Sequence, residues 1–182
     1  EEKKIALDGE IGWRFIPQSL LSVSFFTESV DNALVYNRSG ALFSIVPGAN
    51  IDVTGFRAGI EFDAGRWGVD GDMEIRDVSW NYAGDAPYMP AFQSVVDGRY
   101  NLYGKWNLTG RLSLYGDHHV ETGSDATEDG FMTIDIGAER ELFEHVSASI
   151  QFRNITNADG AWWTSRYRIP GAGLFAAVSA EY

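Results

Sequence analysis

Residues 174–182 read Leu-Phe-Ala-Ala-Val-Ser-Ala-Glu-Tyr, and every second side chain from Leu174 to Tyr182 is apolar. Ser179 and Glu181 fall between them, so the opposite face is partly polar. Because successive side chains of a β-strand point to opposite faces of a sheet, this alternation predicts a strand between two different environments. The apolar set of this closing strand is Leu174, Ala176, Val178, Ala180 and Tyr182.

The same period of two recurs along the whole chain. Residues 56–62 read Phe-Arg-Ala-Gly-Ile-Glu-Phe, and residues 146–153 read Val-Ser-Ala-Ser-Ile-Gln-Phe-Arg. Nine segments of this kind can be distinguished, and nearly all their charges lie opposite the large apolar side chains. Most are about ten residues long, the length that a tilted strand needs to cross the hydrocarbon of a membrane. The pattern predicts an all-β, antiparallel fold.

Composition narrows the function before any motif is considered. The formal net charge of −12 argues against nucleic acid as a partner, because binding to phosphates needs a basic surface. The absence of cysteine excludes a disulfide framework and a thiolate metal site. Residues 1–4 are all charged and lack the apolar core of a signal peptide.

Alternation alone fits both a soluble sandwich and a membrane barrel, so the connections have to distinguish them. The predicted connections near 16–19, 64–66, 104–106 and 141–145 are short, and those near 37–50, 81–91, 118–130 and 155–172 are longer. Short turns on one side and long loops on the other are typical of outer-membrane barrels. We therefore expect an antiparallel transmembrane β-barrel in the bacterial outer membrane, with lipid against its apolar face.

Aromatic residues gather at both ends of the predicted strands, as in the two aromatic belts of membrane proteins. The set beside the short turns is Trp13, Phe15, Trp67, Tyr103, Trp106 and Phe143. The set towards the long loops is Tyr36, Trp80, Tyr82, Tyr88, Trp162 and Trp163. The terminal aromatic Tyr182 with its alternating apolar residues also resembles the assembly signal of outer-membrane barrels, which implies the barrel assembly machinery as a partner.

Two stretches near the C-terminus resemble TonB-dependent receptors. Residues 146–157, Val-Ser-Ala-Ser-Ile-Gln-Phe-Arg-Asn-Ile-Thr-Asn, are similar to the penultimate strand of that family, which runs into an Asn-Leu-Phe-Asp type of turn. Residues 167–171, Tyr-Arg-Ile-Pro-Gly, followed by Phe175 and Tyr182, resemble its "Tyr…Pro-Gly-Arg…aromatic" ending. Ala172 stands where the arginine is usual, and Ile-Thr at 155–156 replaces Leu-Phe.

Weaker similarities extend the resemblance over residues 20–182. Residues 87–90, Pro-Tyr-Met-Pro, resemble the "Tyr-x-Pro" that introduces a late strand in the family, and residues 54–61 resemble its "Gly-x-Glu" strand. The resemblance implies that residues 1–182 form one region, the C-terminal portion of a larger barrel, without the family's plug domain. It also implies TonB-dependent uptake of a scarce nutrient such as a siderophore, cofactor or glycan. An odd count of nine strands agrees, because single-chain bacterial barrels have even numbers.

Candidate ligand contacts lie in the last long connection. Exposed aromatic rings beside a cation suit stacking and hydrogen bonding to a ligand, although anchoring at the membrane interface explains such a group equally well. These residues are Trp162, Trp163, Arg166 and Tyr167. His118 and His119 are adjacent, so on a strand they point to opposite faces and are not expected to bind one metal. No catalytic triad, phosphate-binding loop or zinc motif is recognisable, and we expect neither an enzyme nor a cofactor.

Two alternatives stay open at this point. One is a small, self-contained outer-membrane barrel with a structural or adhesive role. The other is a soluble, lipocalin-like binding domain, in which the apolar face of the sheet points into a core. The two membrane hypotheses share the same prediction for the apolar face, namely that it contacts lipid.

Overall fold

The computed structural model describes residues 2–39, 42–81, 89–103, 105–119, 127–161 and 168–180, without the side chains of 35–39, 42–44 and 46–47. Nine strands form one sheet and two short strands form a separate hairpin. The sheet consists of β1 (Lys3–Trp13), β2 (Ser19–Ser39), β3 (Leu42–Asp63), β4 (Trp67–Trp80), β5 (Phe92–Leu102), β6 (Trp106–Tyr115), β9 (Phe131–Phe143), β10 (Val146–Arg153) and β11 (Gly173–Ala180). The hairpin pairs β7 (His118–His119) with β8 (Thr127–Glu128). No helix long and apolar enough to cross a membrane occurs in the described part of the chain.

The sheet is an antiparallel meander, in which each strand pairs with the next strand of the sheet along the chain. Successive connections therefore lie at opposite ends. Residues 14–18, 64–66, 103–105 and 144–145 connect strands at one end, which we call the short-turn end. At 64–66 the turn is closed by Asp63, whose side chain accepts a 2.8 Å hydrogen bond from Gly65 N, while Gly65 adopts a φ of +75°. The predicted positions of all four short turns are confirmed.

The two faces of the sheet differ in exposure as well as in chemistry. The apolar face carries exposed side chains such as Val178 (73%) and Trp67 (57%). On the polar face, by contrast, Phe26, Glu74 and Ser113 are each exposed by less than a tenth. Side chains are therefore more buried on the polar face of the sheet and more exposed on its apolar face. This is the reverse of a soluble domain built around an apolar core. Among the described residues no large side chain is fully buried.

The register aligns the apolar residues of neighbouring strands. Ile150 of β10 pairs with Ala138 of β9 on one side and with Ala176 of β11 on the other. The closing strand has the predicted phase, since Leu174 and Val178 share the apolar face with Ala176. Tyr182, the last member of the predicted set, lies outside the described residues.

The predicted aromatic belt at the short-turn end lies on exposed positions. Trp13 and Phe15 contact each other with ring centroids 5.7 Å apart, and Phe15 stacks on Phe62 at 6.4 Å. Trp67 contacts Tyr100 at 4.2 Å. All six members of the predicted set are exposed by 38% or more. Of the second predicted set, Trp80 ends β4. The side chain of Tyr36, and Tyr82, Tyr88, Trp162 and Trp163 entirely, lie outside the description.

The prediction of a loop near 37–50 is wrong, because β2 and β3 continue through it as a long hairpin. β1 pairs with β2 only as far as Asp31, and β4 pairs with β3 only as far as Ile51. Beyond those residues the two strands pair only with each other. The register shifts where Asn32 (φ +58°) and Gly48 (φ +104°) lie, so bulges interrupt the regular pairing of this hairpin without ending it.

Candidate functional site at the long-loop end

The residues predicted to contact a ligand lie outside the described residues. The described residues on either side of them are joined by backbone hydrogen bonds. Ala161 and Arg168 form an antiparallel bridge, and Ile169 N donates a 2.8 Å hydrogen bond to Gly160 O. Ala161 and Ile169 are both buried. The base of the segment that carries Trp162, Trp163, Arg166 and Tyr167 is therefore a closed, packed neck at the long-loop end.

Asn154 fixes the connection that leads to this neck. Its Nδ2 donates to the carbonyls of Ala158 (3.0 Å) and Pro170 (2.8 Å), and its Oδ1 accepts from Ala158 N and from Thr156 Oγ1, both at 2.9 Å. Its backbone N–H donates to Asp135 Oδ1 at 2.7 Å. Asn154 is 5% exposed and has a φ of +48°, a conformation that asparagine tolerates better than most residues. The sequence showed it only as part of a family resemblance.

An ion pair lies on the outer side of the same neck. Arg168 Nη1 donates to Asp159 Oδ1 at 2.6 Å, and both side chains are exposed. The hydrogen bond to Asp159 raises the pKa of the Arg168 guanidinium above its ordinary value, so the arginine stays charged. Because both groups are solvated, the pair contributes little to stability.

The connection packs on two stacked rings of the polar face. Tyr115 and Phe131 are cross-strand partners whose ring centroids lie 4.9 Å apart at an interplanar angle of 24°. Gly160 lies directly against Phe131, since a Cβ at this position would be 2.3 Å from Phe131 Cδ1. Only glycine lets the backbone approach the ring so closely.

Next to these rings is a cavity of about 440 Å³. His118 lines it and is 5% exposed, yet within the described part of the chain neither of its ring nitrogens has a hydrogen-bond partner. His118 also lines a neighbouring cavity of about 230 Å³, to which Asp77 and Asp117 contribute. The larger cavity is lined by Arg76, Pro90, Gln93, Tyr115, His118, Phe131 and Ala161.

Charges on the polar face are paired across strands. Arg57 Nε lies 2.7 Å from Glu74 Oε2, and Arg57 Nη1 lies 3.4 Å from Asp8 Oδ2. Glu74 Oε1 is in turn 3.0 Å from Arg76 Nε. The Arg57 guanidinium lies 4.1 Å above the ring of Phe26. Arg57, Arg76, Glu74 and Asp8 therefore form an ion-pair network with equal numbers of acidic and basic groups.

The described groups around the cavity are suited to reversible binding. They provide a guanidinium, an imidazole, an amide and two stacked rings within one concave surface, and binding sites generally combine an apolar lining with a few polar groups of this kind. No cluster of three or more potential metal ligands occurs among the residues that the structure describes.

Comparison with known proteins found no matching family model and no matching curated protein. Solved structures do match over nearly the whole chain. The ferric-catecholate import receptor Fiu from E. coli K12 matches with a TM-score of 0.76 and 16% identity, covering 98% of this chain and 28% of Fiu. The copper transporter OprC matches with a TM-score of 0.77 and 14% identity, covering 98% and 31%. The siderophore receptor PiuA from Acinetobacter baumannii gives 0.76 and 16%, covering 97% and 28%.

The fold is that of a TonB-dependent receptor barrel. The predicted all-β, antiparallel outer-membrane architecture is confirmed at the level of the fold. Each of these three proteins is a receptor or transporter by name. The chain spans less than a third of the length of the solved structures it matches.

Proposed function

We propose that this chain forms part of the barrel wall of an outer-membrane receptor that imports a scarce nutrient, such as a siderophore, cofactor or glycan. The observation that carries the proposal is the inverted sheet, with an exposed apolar face and a crowded polar face, in a chain that matches receptor barrels over 98% of its length. An apolar face that is exposed on most strands of the sheet is stable in lipid, where water does not oppose it.

The proposed function assigns a role to each part. The apolar face contacts outer-membrane lipid, and the closing strand, with Leu174, Ala176, Val178, Ala180 and Tyr182, is recognised by the barrel assembly machinery. TonB energises uptake through a plug domain held by the polar face. Trp162, Trp163, Arg166 and Tyr167 contact the ligand from the segment above the Ala161–Arg168 neck.

Two measurements test this proposal with the protein as its native gene encodes it. We expect it in the outer-membrane fraction, soluble only with detergent, and we expect uptake of its nutrient to stop in cells that lack TonB. Replacing Trp162 and Trp163 together by alanine is expected to lower ligand affinity without changing the amount in the membrane.

Each alternative predicts a different result. Recovery of the protein as a monodisperse species without detergent would support the soluble lipocalin-like domain and refute the proposal. Membrane insertion without any TonB-dependent uptake would support the self-contained barrel with a structural or adhesive role.

A further inference from the structure

His118 is the most informative polar group that the proposed function leaves unexplained. Its side chain is only 5% exposed, and neither ring nitrogen has a hydrogen-bond partner among the residues that the structure describes. Buried polar atoms in folded proteins are nearly always paired, with protein or with something bound. The ring lies between two cavities, so a group bound in either of them is within its reach.

The hydrogen-bonding groups around the larger cavity are balanced between donors and acceptors. A neutral imidazole presents one donor and one acceptor nitrogen, and the Gln93 amide presents both types of group. Arg76 supplies donors, and Glu74, 3.0 Å away, supplies an acceptor beside them. A ligand that satisfies this set has to donate and accept hydrogen bonds at the same time, as hydroxyl groups do.

Charge argues against an anionic ligand at the same place. The Arg76 charge is balanced by Glu74, and the charge of Arg57, which also contacts Glu74, is balanced by Asp8. Asp77 and Asp117 line the neighbouring cavity on the other side of His118. A carboxylate or phosphate would meet these acidic groups without an unpaired cation among the described lining residues to offset them.

The aromatic lining and the volume of the cavity also limit the kind of ligand that fits. The rings of Tyr115 and Phe131 stack on each other and line the cavity with apolar C–H groups, against which the C–H groups of a ligand ring can pack. A volume of about 440 Å³ falls within the range of small-molecule sites, about 300–1,000 Å³.

We propose that this cavity binds a neutral, polyhydroxylated ring, a sugar unit, with His118 and Gln93 as its hydrogen-bonding residues and Tyr115 and Phe131 as its apolar lining. This inference rests on the proposed receptor function and specifies the chemistry of one part of its ligand.

Binding of sugars by the purified full-length protein in detergent tests the inference. The probes are glucose, galactose, mannose, xylose, N-acetylglucosamine, maltose and cellobiose, with glucuronate as the anionic counterpart of glucose, measured by isothermal titration. We expect at least one neutral sugar to bind with a Kd in the millimolar range or lower. If that sugar is glucose, glucuronate is expected to bind at least tenfold more weakly.

Variants distinguish the cavity from other places on the protein. His118→Phe is expected to weaken sugar binding at least tenfold, whereas His118→Gln keeps a donor and an acceptor and stays within about threefold. His145→Gln, at the short-turn end, changes a histidine far from the cavity and is expected to have no effect. If His118→Phe fails to fold, as judged by migration of the unheated protein in a detergent gel, Gln93→Leu removes the amide from the same cavity instead.

The results separate this inference from the receptor function. Absence of binding by every neutral sugar, or equal binding by wild type, His118→Phe and Gln93→Leu, overturns the inference. TonB-dependent uptake of another nutrient that is insensitive to His118→Phe would leave the receptor function standing. Failure of the protein to reach the outer membrane would instead contradict the receptor function.

Discussion

The two faces of this sheet are built on different principles. On the apolar face, a single rule repeats: a large apolar side chain at every second position, beside another on the next strand, as Ile136, Phe152 and Leu174 illustrate. On the polar face, each region has its own arrangement, from the Arg57 network to the His118 cavity. Under the proposed function, the apolar face needs only to match lipid, whereas the polar face carries the groups that are specific to the imported nutrient.

The assignment of the two faces is tested most directly by placing a charge on each of them at adjacent positions of one strand. Ile150 lies in the middle of β10 on the apolar face, and Gln151 follows it on the polar face. Ile150→Arg is expected to destabilise the barrel by about 2–4 kcal/mol, the cost of a lipid-facing cation near the midplane, while Gln151→Arg costs about zero. Guanidinium unfolding in lipid vesicles measures both. Equal effects would contradict the assignment of the faces.

The difference between the two faces also determines which parts of the structure can be predicted from the sequence. The apolar face and the short turns follow from period two and turn residues, so the phases of β4, β10 and β11 and all four short turns are predictable. The long hairpin was missed because bulges at Asn32 and Gly48 interrupt the alternation, so that a two-stranded extension looks like a loop.

The polar groups of the long-loop end were missed for another reason. Asn154 acts through carbonyls at Ala158 and Pro170 that only the folded connection brings together. The burial of His118 depends on cavity walls contributed by β4, β5 and the neck at Ala161. Neither arrangement produces a periodic pattern in the sequence, because each depends on contacts between residues that are distant along the chain.

The next prediction concerns Asn154, which organises the connection packed on the polar face. Asn154→Ala removes the side-chain hydrogen bonds to Ala158, Thr156 and Pro170 and places alanine at a φ of +48°. We expect a loss of about 2–3 kcal/mol, combining buried groups left unpaired with backbone strain. Faster amide exchange in residues 154–161 and 168–172 would show it.

Asn157 provides the matched control for that variant. It also has a positive φ, +49°, but its Oδ1 accepts a single described hydrogen bond, from Ala172 N at 3.1 Å. Asn157→Ala is expected to cost about 1 kcal/mol less than Asn154→Ala, since fewer buried groups lose their partners. If the two variants exchange equally fast, strain rather than the Asn154 hydrogen bonds holds the connection.

A smaller effect is expected where the connection meets the rings. Gly160→Ala adds a Cβ that would lie 2.3 Å from Phe131 Cδ1, so the neck has to shift away from the polar face. Overpacking of this kind costs about 1–3 kcal/mol, and we expect the lower part of that range because the neck lies at the rim. Gly9→Ala, where nothing lies within 4 Å of the added atom, is the control.

A second variant separates the clash from other effects of Gly160→Ala. Combining it with Phe131→Leu removes the ring that the new Cβ would meet. We expect the double variant to regain stability relative to the sum of the single changes, and thermal unfolding of all three measures this. An additive result would show that the close approach at Phe131 does not determine the position of the neck.

The smallest effect is expected from the ion pairs of the polar face. Asp97 accepts two hydrogen bonds from Arg111, 2.7 Å from Nε and 2.9 Å from Nη2, but both side chains are about half exposed. Solvent screens such a pair, so a double-mutant cycle with Asp97→Asn and Arg111→Gln is expected to give a coupling energy of about 0.2–1 kcal/mol that falls with added salt. A coupling of several kcal/mol would mean that the pair is shielded from water in the full-length protein. Under the proposed function, that result would place a plug domain directly against β5 and β6, because only a covering surface there removes the solvent that weakens the pair.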